Sequence, residues 1–232
     1  MYEQVLEHLR DTGLADVGED ISGVGGAASL LAELPATYAA ALRIANGFTI
    51  NQGMNRIFGI RADRHMDLRA WNEPEGWRFA WGERADGFLF FGGTVFGDQY
   101  GLRRLTGGGF AYGVYLLDTN ELVANIVADT FDEFLAKEVV RNAAMPHSPL
   151  ARASMQVFGT VKPENHLVVT PSLLLGGVED TANLVLMESY TAMIYGGDIC
   201  TAVFAADDEA LILGVEPWSD DRGRQRLRVR FG

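Results

Sequence analysis

Four histidines, His8, His65, His147 and His166, are the first candidates for acid–base or metal chemistry. No two of them form a His-Glu-x-x-His or His-x-His pair that would place two ligands on one face. His65 with Asp67 comes nearest to a pair, in the turn-like stretch Arg64-His65-Met66-Asp67, which reads as solvated surface. Any histidine site therefore has to be assembled by the fold. A set gathered from His65, Asp98 and His166 is the one enzyme reading left open.

Other chemistry-bearing patterns read as structure. Gly23-Val24-Gly25-Gly26 precedes a helix, as a phosphate loop does, but Glu19-Asp20-Ile21-Ser22 stands where a strand is needed and no Lys-Ser/Thr follows. No serine sits in a Gly-x-Ser-x-Gly elbow. Cys200, between Ile199 and Thr201, reads as an inert core thiol. Asp207-Asp208-Glu209 has no calcium-loop spacing and reads as a solvated turn. Arg224, Arg226, Arg228 and Arg230 alternate along a terminal strand. They read as guards of an edge strand, with Asp220 and Asp221 as partners, rather than as a nucleic-acid stripe. No catalytic residue, metal ligand or cofactor-binding residue is assigned.

The segment from Trp71 to Asp86 offers a binding surface instead. Trp77 and Trp81 with Glu73, Glu75, Glu83 and Asp86 make a candidate partner-binding rim, because tryptophan anchors interfaces and carboxylates steer a basic partner. The competing reading turns residues 77, 79 and 81 into the core and leaves only the carboxylates outside.

The elements that must hold these residues follow from periodicity. Val5, Leu6 and Leu9 mark an opening helix with Gly13 as its cap. After a loop over 16–26, helices span 27–34 and 36–45, with Pro35 starting the second and Asn46-Gly47 stopping it. Strands are expected at 56–60, 77–81, 88–91 and 100–105, and a hairpin joins 110–117 to 122–127. Phe131, Phe134, Leu135 and Val139 share a helical face behind Asp129 as N-cap. Met145-Pro146-His147-Ser148-Pro149 is the best linker and divides the chain into modules 1–144 and 150–232, packed closely together. Beyond it come a helix at 150–158, extended runs at 167–175 and 183–187, a helix at 190–204 despite Gly196-Gly197, and strands at 210–215 and 225–231. The fold class is α+β, with helices on a mainly antiparallel twisted sheet and a smaller α+β C-terminal module.

Composition narrows the function classes. The 232 residues are 48% hydrophobic and 22% charged, which excludes disorder and collagen. The start has no basic stretch before an apolar run, and 166–177, the longest nearly uncharged stretch, is too short to cross a bilayer. With a single cysteine, these features predict a cytoplasmic protein. Nineteen Lys and Arg against 31 Asp and Glu give a net charge of −12, which argues against direct nucleic-acid binding and favours a basic partner.

Two stretches resemble known families. Leu34-Pro35-Ala36-Thr37-Tyr38 through Asn46-Gly47, Trp77, Phe90-Phe91-Gly92-Gly93, Gly97-Asp98-Gln99-Tyr100, Val114-Tyr115-Leu116-Leu117-Asp118 and Thr130-Phe131-Asp132-Glu133-Phe134-Leu135 resemble the SUKH superfamily, over about 34–140. Val157-Phe158-Gly159-Thr160, Glu164, Thr170-Pro171-Ser172-Leu173-Leu174-Leu175-Gly176-Gly177 and Asn183-Leu184 are similar to the C-terminal module of type VI secretion DNase immunity proteins of the Tdi kind. In those proteins that module follows a GAD-like N-terminal one. Asn165-His166-Leu167-Val168 departs from the family's aromatic position, and Ser172 stands where Ala is common.

The resemblance implies a non-enzymatic inhibitor, without cofactor, that binds a cognate toxin, a basic nuclease, and covers its active or DNA-binding surface. A SUKH-like regulatory or scaffolding module with a cellular protein partner is the alternative. Neither reading fixes the oligomeric state.

Overall fold

A computed structural model describes residues 2–12, 14–121, 123–144, 146, 148–207 and 209–232. Gly13 of the expected cap, Leu122 of the hairpin, Met145 and His147 of the linker and Asp208 of the acidic trio lie outside the described residues, as do the side chains of Val5 and His8.

Helix α1 (Tyr2–Thr12) buries Leu6, and α2 (Ala27–Glu33) and α3 (Ala36–Ile44) follow the loop. Pro35 is the N-cap of α3 rather than its first helical residue. At the stop of α3, the buried Asn46 amide donates to the carbonyls of Glu19 and Ile60 and accepts from the Ile60 N–H. Gly47 has φ 72°, and a Cβ there would stand 2.7 Å from the Gly59 nitrogen, so only glycine fits.

Six strands, β1 (Phe48–Ile50), β2 (Asn55–Ile57), β3 (Phe88–Thr94), β4 (Gln99–Arg104), β5 (Phe110–Leu117) and β6 (Asn125–Ala128), pair antiparallel in chain order. Leu116 stands opposite Asn125 in the β5–β6 hairpin. The short helix α4 (Leu68–Trp71) lies in the β2–β3 connection. After β6, α5 (Phe131–Phe134), a π-helical stretch (Leu135–Val140) and α6 (Arg141–Ala144) form one continuous helix. Its N-cap is Thr130, not Asp129. The Thr130 hydroxyl accepts from the Glu133 N–H while the Glu133 carboxylate accepts from the N–H of Asp129, one residue before the cap, so two backbone donors are satisfied at this helix start.

Both faces of β3 are covered. On one, Phe91 meets Tyr38 of α3 and Phe134 of α5, with ring centroids 5.3 and 5.2 Å away. On the other, Phe90 meets Trp77 at 5.4 Å. The segment carrying Trp77 is not the expected strand: two 3-10 turns, Arg78–Ala80 and Gly82–Arg84, occupy it. Trp77, Ala80 and Trp81 are buried while Phe79 is half-buried, a period of three to four that matches turns and not alternation.

The second half consists of α7 (Pro149–Phe158), β7 (Asn165–Val169) paired with β8 (Leu184–Glu188), α8 (Ser189–Ala205), and β9 (Ile212–Ser219) paired with β10 (Gln225–Phe231). The extended run expected to reach Leu175 ends at Val169, where a cis Thr170–Pro171 bond and a 3-10 turn at Leu173–Leu175 intervene. The architecture is α+β. Among the described residues no helix is long and apolar enough to cross a membrane.

The halves share their cores. The larger apolar cluster takes in Tyr190, Met193 and Cys200 of α8, and the smaller joins Met54 and Val95 to Ala151, Val161, Leu167 and Leu184. Arg56 of β2, 2% exposed, donates to the carbonyls of Lys162, Pro163 and Asn165. Burial pulls its guanidinium pKa down to about 9, against the attraction of Glu164 and Asp16. Trp81 enters a notch in α8, its indole N–H donating to the Met193 carbonyl at 2.8 Å.

That notch explains a glycine pair inside a helix. A Cβ on Gly197 would stand 2.7 Å from the Trp81 ring, whereas one on Gly196 would meet it at an ordinary 3.4 Å. Alanine gains about 1 kcal/mol over glycine in a helix, and overpacking costs about 1–3 kcal/mol or more. In urea unfolding, Gly197→Ala should therefore lose about 1–2 kcal/mol, while Gly196→Ala should be neutral or gain up to about 1 kcal/mol.

Candidate functional site

The segment proposed as a binding rim divides into a buried half and an exposed half. Trp77 is 0% and Trp81 1% exposed, so neither can anchor a partner, which corrects their placement in the rim. Their indole nitrogens give the reason. Trp77 donates to the Trp71 carbonyl and Trp81 to α8, so both rings are internal props, satisfied at the polar tip as well as the apolar body.

Glu73, Glu75, Glu83 and Asp86 are exposed. Glu75 is already engaged: Arg222 and Arg224 reach it at 2.6 and 3.0 Å, and the Arg222 hydrogen bond holds its carboxyl below the usual range. The tip of the β9–β10 hairpin thereby closes on this segment, with Arg224 lying 3.7 Å over the Phe79 ring. Asp86 shares the resulting groove with Arg78 and Arg104. Glu73, Glu83 and Asp86 form no ion pair with the described residues.

The terminal arginines act as pins more than as guards of an open edge. Arg224 pairs with Asp220 at 2.7 Å. Arg226 pairs with Asp198 of α8, a carboxylate only 1% exposed that also accepts from the Leu227 N–H. Arg228 and Arg230 approach Glu216 at 3.8 and 3.6 Å. In this two-stranded sheet β9 and β10 each keep one unpaired edge, and on β10 the Asp198 carboxylate of α8 takes the Leu227 N–H.

The three residues of the open enzyme reading are not hydrogen-bonded to one another. His65 pairs with Asp63 at 3.1 Å and Glu188 at 3.4 Å, while Asp67, its expected neighbour, caps α4. His65 meets Tyr190 edge-on, as Tyr190 meets Trp71 and Trp71 meets His166, so two aromatic rings lie along the contacts between the imidazoles. Burial, with Arg56 and His65 adding to it, keeps His166 neutral far below the ordinary histidine range. Cys200 is buried as expected, and burial raises its thiol pKa although the Arg84 guanidinium beside it pulls the other way.

Asp98 is a perturbed carboxylate that reaches a cavity, together with Tyr100 and Tyr195, whose hydroxyl pKa values burial also raises. It accepts from the Thr94 hydroxyl at 2.8 Å and from the Thr119 N–H and hydroxyl at 3.2 and 3.3 Å. Burial and, second, the Asp118 charge raise its carboxyl pKa to about 6. The cavity, about 300 Å³, opens between the halves and also receives Asp118, Glu138 and Tyr195. The sequence reading reached Asp98 but missed these three. Glu138 lies on the π-helical stretch, where the wider turn breaks the 3.6-residue period, and only the polar run Asp118-Thr119-Asn120-Glu121 between two strands was a local signal.

Asp98 carries a testable sign. The unfolded carboxyl ionises near pH 4 and the folded one near 6, so the folded state holds its proton longer. Its contribution is therefore present below about pH 4 and lost as pH rises through about 6, by roughly 3 kcal/mol. His166 acts in the opposite sense, weakening the fold as pH falls below about 6.5, and cancels in a comparison with Asp98→Asn. Urea unfolding at pH 4 and pH 7 should show wild type losing about 3 kcal/mol relative to that variant; a constant difference would refute the assignment.

No family model and no curated protein matches the chain. Among solved structures it is similar to Atu4351 from Agrobacterium tumefaciens, at 13% identity and a TM-score of 0.55, over 99% of this chain and 97% of that one. At that identity the likeness is one of fold, and it extends across both halves.

Proposed function

We propose that the protein is an immunity protein: it binds a cognate secreted toxin, a basic nuclease of a type VI secretion system, and neutralises it by covering its active or DNA-binding surface. The reading rests on the resemblance of both halves and on one structural observation, the disposition of charge. Three arginines turn inward, Arg56 onto three carbonyls, Arg78 onto the carbonyls of Ala85 and Phe88, and Arg226 onto buried Asp198. Carboxylates such as Glu73, Glu83 and Asp86 stay in solvent, so the −12 net charge is presented outward. An outward anionic field draws in a basic protein and opposes DNA, the substrate it would exclude.

The test is co-purification with the catalytically disabled product of the adjacent reading frame, then a nuclease assay of the active form with and without this protein. A stable complex and suppressed cleavage support the proposal. No complex, with recovery of cellular proteins instead, favours the regulatory scaffold. Within a complex, joint substitution of Glu73, Glu83 and Asp86 by lysine should slow association roughly tenfold at low ionic strength and flatten its salt dependence. An unchanged rate in stopped flow would remove this face. Glu75→Lys is a separate case, since it breaks the contacts with Arg222 and Arg224 and loosens the terminal hairpin.

A further inference from the structure

Four carboxylates, Asp98, Asp118, Glu138 and Glu179, line the cavity between the halves, and no lysine, arginine or histidine does so among the described residues. Met54, Phe96, Leu150 and Leu173 supply an apolar wall. At about 300 Å³ the space suits one side chain or a small molecule and excludes a helix or a folded peptide. Among the described residues no three His, Cys, Asp or Glu side chains converge closely enough to share a metal ion. On one wall stands Gly97, and the buried His166 Nδ1, without a hydrogen-bond partner, would lie 3.7 Å from a Cβ placed there.

We propose that this cavity binds an organic cation, a guanidinium or primary ammonium group on an apolar stem. A guanidinium brings five donors and no acceptor, which complements a carboxylate-lined space, and its methylene stem suits the apolar wall. It also supplies what Asp98 lacks. The raised carboxyl pKa reflects a partly desolvated charge next to another of the same sign, and a cation seated between them relieves both desolvation and repulsion. A metal ion needs several convergent ligands, and no group of three such side chains is present among the described residues.

The cation has two possible sources: a free small amine, or an arginine or lysine side chain of the basic partner. Only the second source rests on the toxin reading. The site itself is tested on the protein alone.

The probe is agmatine, a four-carbon stem with a guanidinium at one end and a primary ammonium at the other, with N-butylurea as an uncharged control of similar length, each titrated at millimolar concentration while backbone amide NMR signals are followed. Agmatine should move the signals of Gly97, Asp98 and Thr119, and butylurea should not. Asp98→Asn should weaken binding roughly tenfold to a hundredfold. Ala192→Met, which fills the space from α8 without changing charge, should abolish it, so the test does not depend on one variant folding. No shift with agmatine, an equal response to butylurea, or binding retained in both folded variants would overturn the proposal. Once agmatine binding is established, competition with the toxin assigns the seat to a partner side chain, and its absence assigns it to a free amine.

Discussion

A buried guanidinium is the constraint from which the arrangement of the halves follows. Arg56 sits in a short strand of the sheet, almost fully covered, and isolated charge is costly to bury. It is tolerated because the loop at 162–165 wraps it with three carbonyls. Strand β3 also approaches β2 closely at this point, since a Cβ on Gly92 would stand 2.4 Å from the Arg56 carbonyl oxygen. Nearby, Val161 donates to the Gln52 carbonyl, in the tight turn where Asn51, Gln52 and Gly53 all have positive φ. Separating the halves would leave the guanidinium, its carbonyls and the shared apolar clusters unpaired at once.

The same economy of charge runs through the protein. Arg78 and Arg226 are struts that satisfy carbonyls or a buried carboxylate, and Trp71, Trp77 and Trp81 are props whose indole nitrogens all find internal partners. Residue types that usually mark interfaces are thus consumed by packing. On the outside carboxylates outnumber the exposed arginines, and at the junction of the halves four of them line a cavity. A surface of that kind suits a basic protein, the partner that the proposed function requires.

Legibility in the sequence tracked locality. The β5–β6 hairpin, the amphipathic face of Phe131, Phe134, Leu135 and Val139, and the long helix at 190–204 were readable because neighbours along the chain decide them. The Trp77–Trp81 run was misread because aromatic alternation and turn spacing share Trp77 and Trp81, and only the notch at Gly197 separates the two. The exposed carboxylates were read, but the engagement of Glu75 was not, since its partners lie 147 and 149 residues away. The cavity was out of reach for the same reason, as its walls run from Met54 to Gly196.

The central claim is that this outward anionic surface, around Glu83 and the mouth near Asp118, meets the partner. Hydrogen–deuterium exchange on the complex with the disabled toxin measures it most directly. The account predicts protection over 82–87 and 118–121, with β9 unchanged. Protection confined to the apolar edge of β9, with those two loops exchanging as in the free protein, would contradict it.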